Sequence, residues 1–171
     1  MLYRLWQFWV AFTAQQLPGV VRQEIDDILQ LEENQLFDRF LKSDQWHGYR
    51  VMCALREAGH HDPALLTAAL LHDVGKTCYP LTVWERSLAV VLAIIMPQQA
   101  KIWGQGEAHG WRRPFVIKAQ HPVWGADMVA AAGGDVLTVA LIRRHQDVLG
   151  ESAGSLEDDM LRLLQWADNH N

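Results

Sequence analysis

The feature that most restricts how this chain can fold is a short segment that is apolar on every face. Residues 64–71 have the sequence ALLTAALL, and they are followed directly by His72 and Asp73. The preceding Asp62 and Pro63 are typical of a helix N-terminus. A helix without a polar face has to be surrounded by other elements. The segment therefore predicts a central helix that carries two polar residues into the interior.

The pair His72 and Asp73 needs partners if it is buried, because an unpaired polar group in an apolar interior costs several kcal/mol. A metal ion would satisfy both side chains. Neighbouring residues on a helix point about 100° apart, so both can reach one ion beyond the helix end. The carboxylate of Asp73 could also bridge two ions about 4 Å apart, the spacing of two-metal hydrolytic sites. We therefore predict a metal centre at this position.

Four more residues supply matching ligands at wide intervals along the chain. His47, His121, His145 and Asp168 each lie on a predicted apolar helix, where a lone polar side chain requires a partner. With the first pair they offer nitrogen and oxygen ligands but no sulfur, in sufficient number for two divalent ions. That set fits Fe, Mn, Co, Ni, Mg or Zn in a catalytic site and argues against a structural zinc site of the cysteine type.

The order of these residues resembles the HD-domain superfamily of metal-dependent phosphohydrolases. The resemblance covers residues 43–169, and its most specific part is the sequence LLHDVGK, which ends at Lys76. It implies an all-α bundle with the metals at its centre. By the resemblance, one ion takes His47, His72, Asp73 and Asp168, and a second shares Asp73 and adds His121 and His145.

The resemblance also implies hydrolysis of a nucleotide or another small phosphate ester. The catalytic residues would be Asp73, which bridges the ions around an attacking hydroxide, and Lys76, which stabilises charge on the phosphoryl oxygens. Lys76 also fits a simpler role as a cation at a helix C-terminus. Two other functions stay open. One is a di-iron oxygenase of the same fold, similar to inositol oxygenase, and the other is a non-catalytic module that binds a metal or a nucleotide.

The rest of the chain predicts helices as well, because strand-like alternation is nearly absent and turn residues recur at short intervals. We expect an all-α, HD-domain-like helical bundle. A chain of 171 residues favours one domain, spanning 1–171. Within it, residues 1–42 are expected to form a helical extension packed on the core, and residues 43–171 the core that holds the metal site.

Three local patterns give further expectations. Residues 97–113 contain a proline and three glycines and predict a mobile loop. Pro122 predicts a break between a helix at 114–120 and another at 122–132. The apolar run at 88–96 predicts a buried helix, or a subunit contact if it is exposed.

Composition and charge narrow the choice of partners. Fifteen Lys and Arg against twenty Asp and Glu give a net charge of -5, which argues against nucleic-acid binding through bulk positive charge.

The sequence also bears on location in the cell. The longest apolar run has fewer than half of the about 20 residues that a membrane span requires. No signal-peptide pattern is present, so Cys53 and Cys78 predict reduced thiols in a cytoplasmic protein. Residues 1–16 predict a helix that is docked on the core. A helix on a membrane surface is the alternative, although the single cation on its polar face argues against membrane binding.

The walls of the site have weaker sequence signals. Basic residues, among them Lys118 and Arg144, could form a rim for an anionic substrate, with ordinary solvated charge as the alternative. Three tryptophans lie within three residues of predicted ligands and could wall the pocket or stack on a nucleobase, namely Trp46, Trp124 and Trp166.

Overall fold

A computed structural model of the chain describes residues 16–150 and 154–171. Over these ranges the structure has nine α-helices and no strand, which confirms the all-α expectation. Nearly all of the helix predicted for residues 1–16 lies outside the described residues. Whether this helix docks on the core or contacts a membrane therefore stays a prediction. The helices are α1 (Gly19–Asp26), α2 (Leu31–Phe37), α3 (Lys42–Glu57), α4 (Pro63–Leu71), α5 (Val83–Ile95), α6 (Pro97–Trp103), α7 (Arg113–Ala131), α8 (Val136–Arg144) and α9 (Leu156–His170), with 3₁₀ turns at Val74–Cys78 and Gly110–Arg112.

Helix α4 lies at the centre of the bundle. From Leu65 to Leu71 every side chain is buried. The carboxylate of Asp62 accepts a hydrogen bond of 3.1 Å from the amide of Leu65, and Pro63 occupies the first turn, so the helix begins where the sequence predicts. The helix contacts α2, α3, α8 and α9. Its C-terminal end, where His72 follows, is therefore enclosed by protein.

One hydrophobic core joins the helices around α4. Ile25 of α1 and Phe37 of α2 belong to this core, as do Leu161 and Leu164 on the buried face of α9. Burial of such side chains stabilises the fold by about 25 cal/mol per Å² of apolar surface removed from water. The first two helices thus pack on the same core as the helices that carry the predicted ligands.

Helix α7 continues through Pro122, so the predicted break between two helices is wrong. A proline inside a helix leaves the carbonyl four residues earlier, here that of Lys118, without its usual amide donor. Nδ1 of His121 donates to this carbonyl at 3.1 Å and to the carbonyl of Ile117 at 2.9 Å. A side chain thus replaces the missing donor within the same turn of the helix.

The loop predicted for residues 97–113 is wrong in part: residues 97–103 form helix α6 and residues 110–112 a 3₁₀ turn, and the irregular segment 104–109 joins them. The ring of Trp103 packs edge to face on those of Trp111 and Phe115, with centroids 5.2 and 5.0 Å apart. The side-chain amide of Gln120 donates to two main-chain carbonyls of the segment. Aromatic packing and these hydrogen bonds attach the segment to α7 despite its glycines.

The apolar run at residues 88–96 forms most of α5, but it is not buried as predicted. The exposed fractions are 50% for Val91, 64% for Ile94 and 69% for Ile95, so an apolar face points outward beside α6. The alternative, that this face is a subunit contact, stays a prediction. Within the described ranges, no helix combines the length and the apolar character needed to cross a membrane.

The 3₁₀ turn that follows Asp73 packs on α7 through direct contact of the two backbones. A Cβ atom added at Gly75 would lie 2.1 Å from the carbonyl oxygen of His121 and 2.7 Å from the amide nitrogen of Gly125. The opposing atoms belong to the main chain, so no change of rotamer could relieve the overlap. Glycine at position 75 therefore allows Asp73 and His121 to lie next to each other.

We expect Gly75→Ala to lower the free energy of unfolding by about 3 kcal/mol or more, because main-chain atoms have to move apart. Urea unfolding followed by circular dichroism measures the difference. Gly19→Ala is the matched control, since a Cβ atom at that position meets nothing within 4 Å. Equal stability of the two variants would contradict the close backbone contact.

Candidate metal centre

The six predicted ligands meet inside the bundle in two groups of three. The ligand atoms of each group lie within 4.8 Å of one another, so each group could hold a metal ion. The chain brings them together from distant positions, because they lie on or directly after five different helices. One group is His47 of α3, His72 directly after α4 and Asp168 of α9, and the other is Asp73 directly after α4, His121 of α7 and His145 directly after α8.

The carboxylate of Asp73 lies between the two groups. Its Oδ1 is 3.2 Å from Nε2 of His121 and 3.9 Å from Nε2 of His145. Its Oδ2 is 3.6 Å from Nε2 of His72 and 2.5 Å from Nζ of Lys76. Each oxygen thus faces a different group, which is the arrangement that a bridging carboxylate requires.

Three of the histidines have a fixed tautomer. Nδ1 of His72 is 2.9 Å from the carbonyl oxygen of Ala69, and Nδ1 of His145 is 2.7 Å from that of Ile142. His121 makes the corresponding contacts described for α7. A carbonyl oxygen can only accept a hydrogen bond, so in each ring the proton is on Nδ1. In the neutral ring Nε2 then carries a lone pair, which is the state that binds a metal.

These lone pairs are poorly satisfied within the described part of the chain, where Nε2 of Gln146 lies 3.4 Å from Nε2 of His121. Nε2 of His72 is buried and has no hydrogen-bond partner, with Oδ1 of Asp168 3.5 Å away. Nε2 of His121 and Nε2 of His145 are 3.2 Å apart, although neither neutral ring has a proton to place between them. Two nitrogen ligands about 2.1 Å from a shared ion would be separated by about 3.0 to 3.4 Å. A cation would therefore satisfy the atoms that the protein leaves unpaired.

The charges around the centre favour ionised carboxylates. Burial alone would raise the pKa of Asp73, but the charge of Lys76 and the adjacent histidines hold that pKa well below its usual range. Burial would also raise the pKa of Asp168, but the imidazoles of His47 and His72, whose Nε2 atoms are 3.0 and 3.5 Å from its Oδ1, outweigh burial, so this pKa is lowered as well. Anionic oxygens beside imidazole nitrogens form a donor set that fits a divalent transition-metal ion.

The two buried histidines after α4 and α8 differ in their electrostatics. Burial lowers the pKa of His145 to about 3, and the nearby charge of His72 adds to this shift, so the ring is neutral. Burial also opposes the charged form of His72, but the carboxylates of Asp73 and Asp168 outweigh it and raise its pKa. Without a metal, a proton on His72 would be the alternative way to compensate the two carboxylates.

A cavity of about 390 Å³ opens beside the centre and includes one ligand from each group, His145 and Asp168. Of the candidates for a basic rim, Lys118 lines this cavity. Arg144 does not, because it is paired with Asp158 at 2.8 Å and with Glu157 at the start of α9. The predicted tryptophan walls are likewise absent among the lining residues, which are Lys118, His145, Gln146, Asp147, Gln165, Asp168 and Asn169.

The sequence reasoning missed the three carboxamides of this wall, Gln146, Gln165 and Asn169. A signal existed for two of them: Gln165 and Asn169 are one helical turn apart and flank Asp168 on the same stretch of α9. No corresponding signal marks Gln146, which is close to the site because it follows His145 in the turn after α8.

No protein-family model, curated protein or solved structure compared with the chain matches it. Membership of the HD-domain superfamily accordingly stays a prediction from the sequence. The case for a metal centre rests on the positions of the ligand atoms and on the fixed tautomers.

Replacing Pro122 tests whether the missing amide donor contributes to the site. Pro122→Ala restores an amide that can bond the carbonyl of Lys118 and compete with Nδ1 of His121 for it. The loss of a bond that orients a ligand typically costs 10- to 100-fold in metal affinity. We expect about a tenfold weaker binding of Mn²⁺ or Zn²⁺ by calorimetry, because the bond from His121 to Ile117 is retained.

Pro114→Ala is the control, since this proline lies in the first turn of α7, where it replaces no intrahelical bond. Its metal affinity should equal that of the unchanged chain. An unchanged affinity in Pro122→Ala would show that this proline does not orient His121.

Proposed function

We propose that this chain is an HD-type, metal-dependent phosphohydrolase that uses two divalent cations to hydrolyse a nucleotide or another small phosphate ester. The observation that carries the proposal is the convergence of three Nε2 atoms, those of His72, His121 and His145, on one carboxylate, Asp73, with Nε2 of His72 buried and without a hydrogen-bond partner in the described part of the chain. Each group of three offers nitrogen and oxygen ligands around that carboxylate. A bridged pair of cations is the cofactor that this arrangement fits.

The six ligands would bind the two cations in two groups of three. His47, His72 and Asp168 would hold one cation, and Asp73, His121 and His145 the other, with Oδ2 of Asp73 turned toward the first group. When bound, such a pair supplies Lewis acidity for the phosphoryl group and lowers the pKa of water toward neutrality. The main-chain carbonyls that hold the Nδ1 protons keep the imidazoles oriented for this role.

Lys76 gives the site a fixed positive charge at its edge. Its ammonium group is 2.5 Å from Oδ2 of Asp73, and its side chain is 34% exposed. It therefore holds Asp73 ionised while remaining within reach of an incoming anion. Lys118 adds a second cation in the cavity wall. Both can neutralise phosphoryl oxygens as negative charge develops there.

Water is the nucleophile that the cavity favours, since no serine, threonine or cysteine is among the residues that line it. Cys53 and Cys78 are free thiols and do not line the cavity. Because persistent free thiols are typical of a reducing compartment, we also propose a cytoplasmic location.

Removal of the central carboxylate should abolish both metal binding and hydrolysis. For Asp73→Asn we expect fewer than one bound metal per chain instead of two, and a rate of p-nitrophenyl phosphate hydrolysis reduced at least about a hundredfold. Elemental analysis and a colorimetric assay with Mn²⁺ measure the two quantities. Asp127→Asn is the control, because Asp127 pairs with Arg143 on the exposed side of α7, away from the cavity.

Three results would overturn the proposal. Full turnover by metal-free Asp73→Asn protein would exclude a metal-dependent reaction. Two bound irons with oxygen consumption and no ester hydrolysis would instead support a di-iron oxygenase. Tightly bound metal with no turnover of any ester would support a binding module.

A further inference from the structure

The cavity beside the centre has a polar wall. Besides His145 and Asp168 it is lined by five residues, and all five carry a charge or a carboxamide. No phenylalanine, tyrosine or tryptophan is among them, although the described chain places several such rings elsewhere. A cavity of about 390 Å³ is large enough for a small organic phosphate. Its wall offers hydrogen bonds and charge, and it lacks an aromatic face for stacking.

The carboxamides of α9 have a definite orientation. Nε2 of Gln165 donates to the carbonyls of His145 at 3.1 Å and Asp147 at 2.8 Å. Nδ2 of Asn169 donates to the carbonyl of Gln165 at 2.7 Å. A carbonyl can only accept, so the amide nitrogen and not the oxygen has to occupy each of these positions. The two bonds use both amide hydrogens of Gln165, and one hydrogen of Asn169 is used, so what these side chains still offer to a ligand is their two oxygens, which are acceptors, and the second N–H of Asn169.

A wall with this chemistry selects for hydroxyl groups. The acceptors of Gln165 and Asn169 flank Asp168, and the carboxylate of Asp147 adds a further acceptor that is 55% exposed. A substrate that places hydroxyl donors there can bond to these oxygens, whereas an alkyl chain would displace their water and offer no donor in its place. A nucleobase would in addition lack an aromatic partner for its ring face.

We infer that the substrate is a phosphate monoester of a small polyhydroxylated compound, a sugar or polyol phosphate, with its hydroxyls on the α9 carboxamides and its phosphate toward Lys118 and the metal centre. The inference rests on the proposed hydrolase function, which it makes more specific. It gives Asn169 the role of a specificity-determining residue.

A comparison of four esters with the metal-loaded chain tests the substrate class without any variant. Glucose 6-phosphate carries the hydroxyls, n-hexyl phosphate lacks them, adenosine monophosphate adds a base, and p-nitrophenyl phosphate is a generic ester. We expect kcat/KM for glucose 6-phosphate to exceed that for n-hexyl phosphate and for adenosine monophosphate at least about tenfold. Calorimetric titration with glucose 6-phosphate, with and without chelator, measures binding separately from turnover.

Asn169→Leu removes the acceptor with little change of side-chain size. We expect the ratio of kcat/KM for glucose 6-phosphate to kcat/KM for p-nitrophenyl phosphate to fall about tenfold, together with weaker binding of glucose 6-phosphate. Asn171→Leu is the matched control. Asn171 also donates to the carbonyl four residues earlier, that of Ala167 at 2.8 Å, but it does not line the cavity.

The outcomes separate this inference from the proposed function. Hydrolysis that prefers adenosine monophosphate or n-hexyl phosphate would overturn the inference and leave the hydrolase intact. A different result is possible, in which glucose 6-phosphate binds, Asn169→Leu weakens this binding, and no ester is hydrolysed. That result would support the inference about the cavity and overturn the proposed hydrolase function. The inference would be overturned if glucose 6-phosphate neither bound nor was preferred as a substrate. It would also be overturned if Asn169→Leu and Asn171→Leu changed the binding and hydrolysis of glucose 6-phosphate equally.

Discussion

Three hydrogen bonds from imidazole Nδ1 to main-chain carbonyls determine the chemistry of this centre. They fix the tautomers of His72, His121 and His145, and so turn three Nε2 atoms toward Asp73. The carbonyls belong to helices α4, α7 and α8, which means that the backbone itself sets the direction of the ligands. A buried nitrogen with no protein partner then has only a proton or a cation to satisfy it. The rest of the arrangement, including the position of the Asp73 carboxylate between the two groups of ligands, depends on that constraint.

The parts of the fold that follow from burial were predictable. An apolar helix with no polar face had to be central, and the polar pair His72 and Asp73 at its end had to acquire partners inside the protein. The same argument applied to His47, His121, His145 and Asp168, and the structure brings all six together. For His121 and His145 this local rule sufficed, whereas His47 and Asp168 lie on helices with many polar residues, and their selection depended on the resemblance to the HD-domain ligand order.

Features that depend on tertiary contacts were not predictable in the same way. Pro122 stays within a helix because His121 supplies a donor to the carbonyl that proline leaves unpaired, a compensation that local proline rules omit. Much of segment 97–113 forms a helix and a 3₁₀ turn because Trp103 packs on Trp111 and Phe115, whereas its glycines and proline indicate a loop throughout. The carboxamides of α9 carry no motif, since their role comes from the cavity they line.

The pairing of Lys76 with Asp73 has a consequence for the charge that the proposed hydrolase would present to phosphate. In the metal-free centre, the ammonium group of Lys76 and a proton on His72 would balance the carboxylates of Asp73 and Asp168, so little net charge would remain to attract an anion. Two divalent cations would displace that proton and make the same place attractive to a phosphate dianion. On the proposed function, released inorganic phosphate would then inhibit the loaded protein as a product, whereas the metal-free protein would bind this anion only weakly.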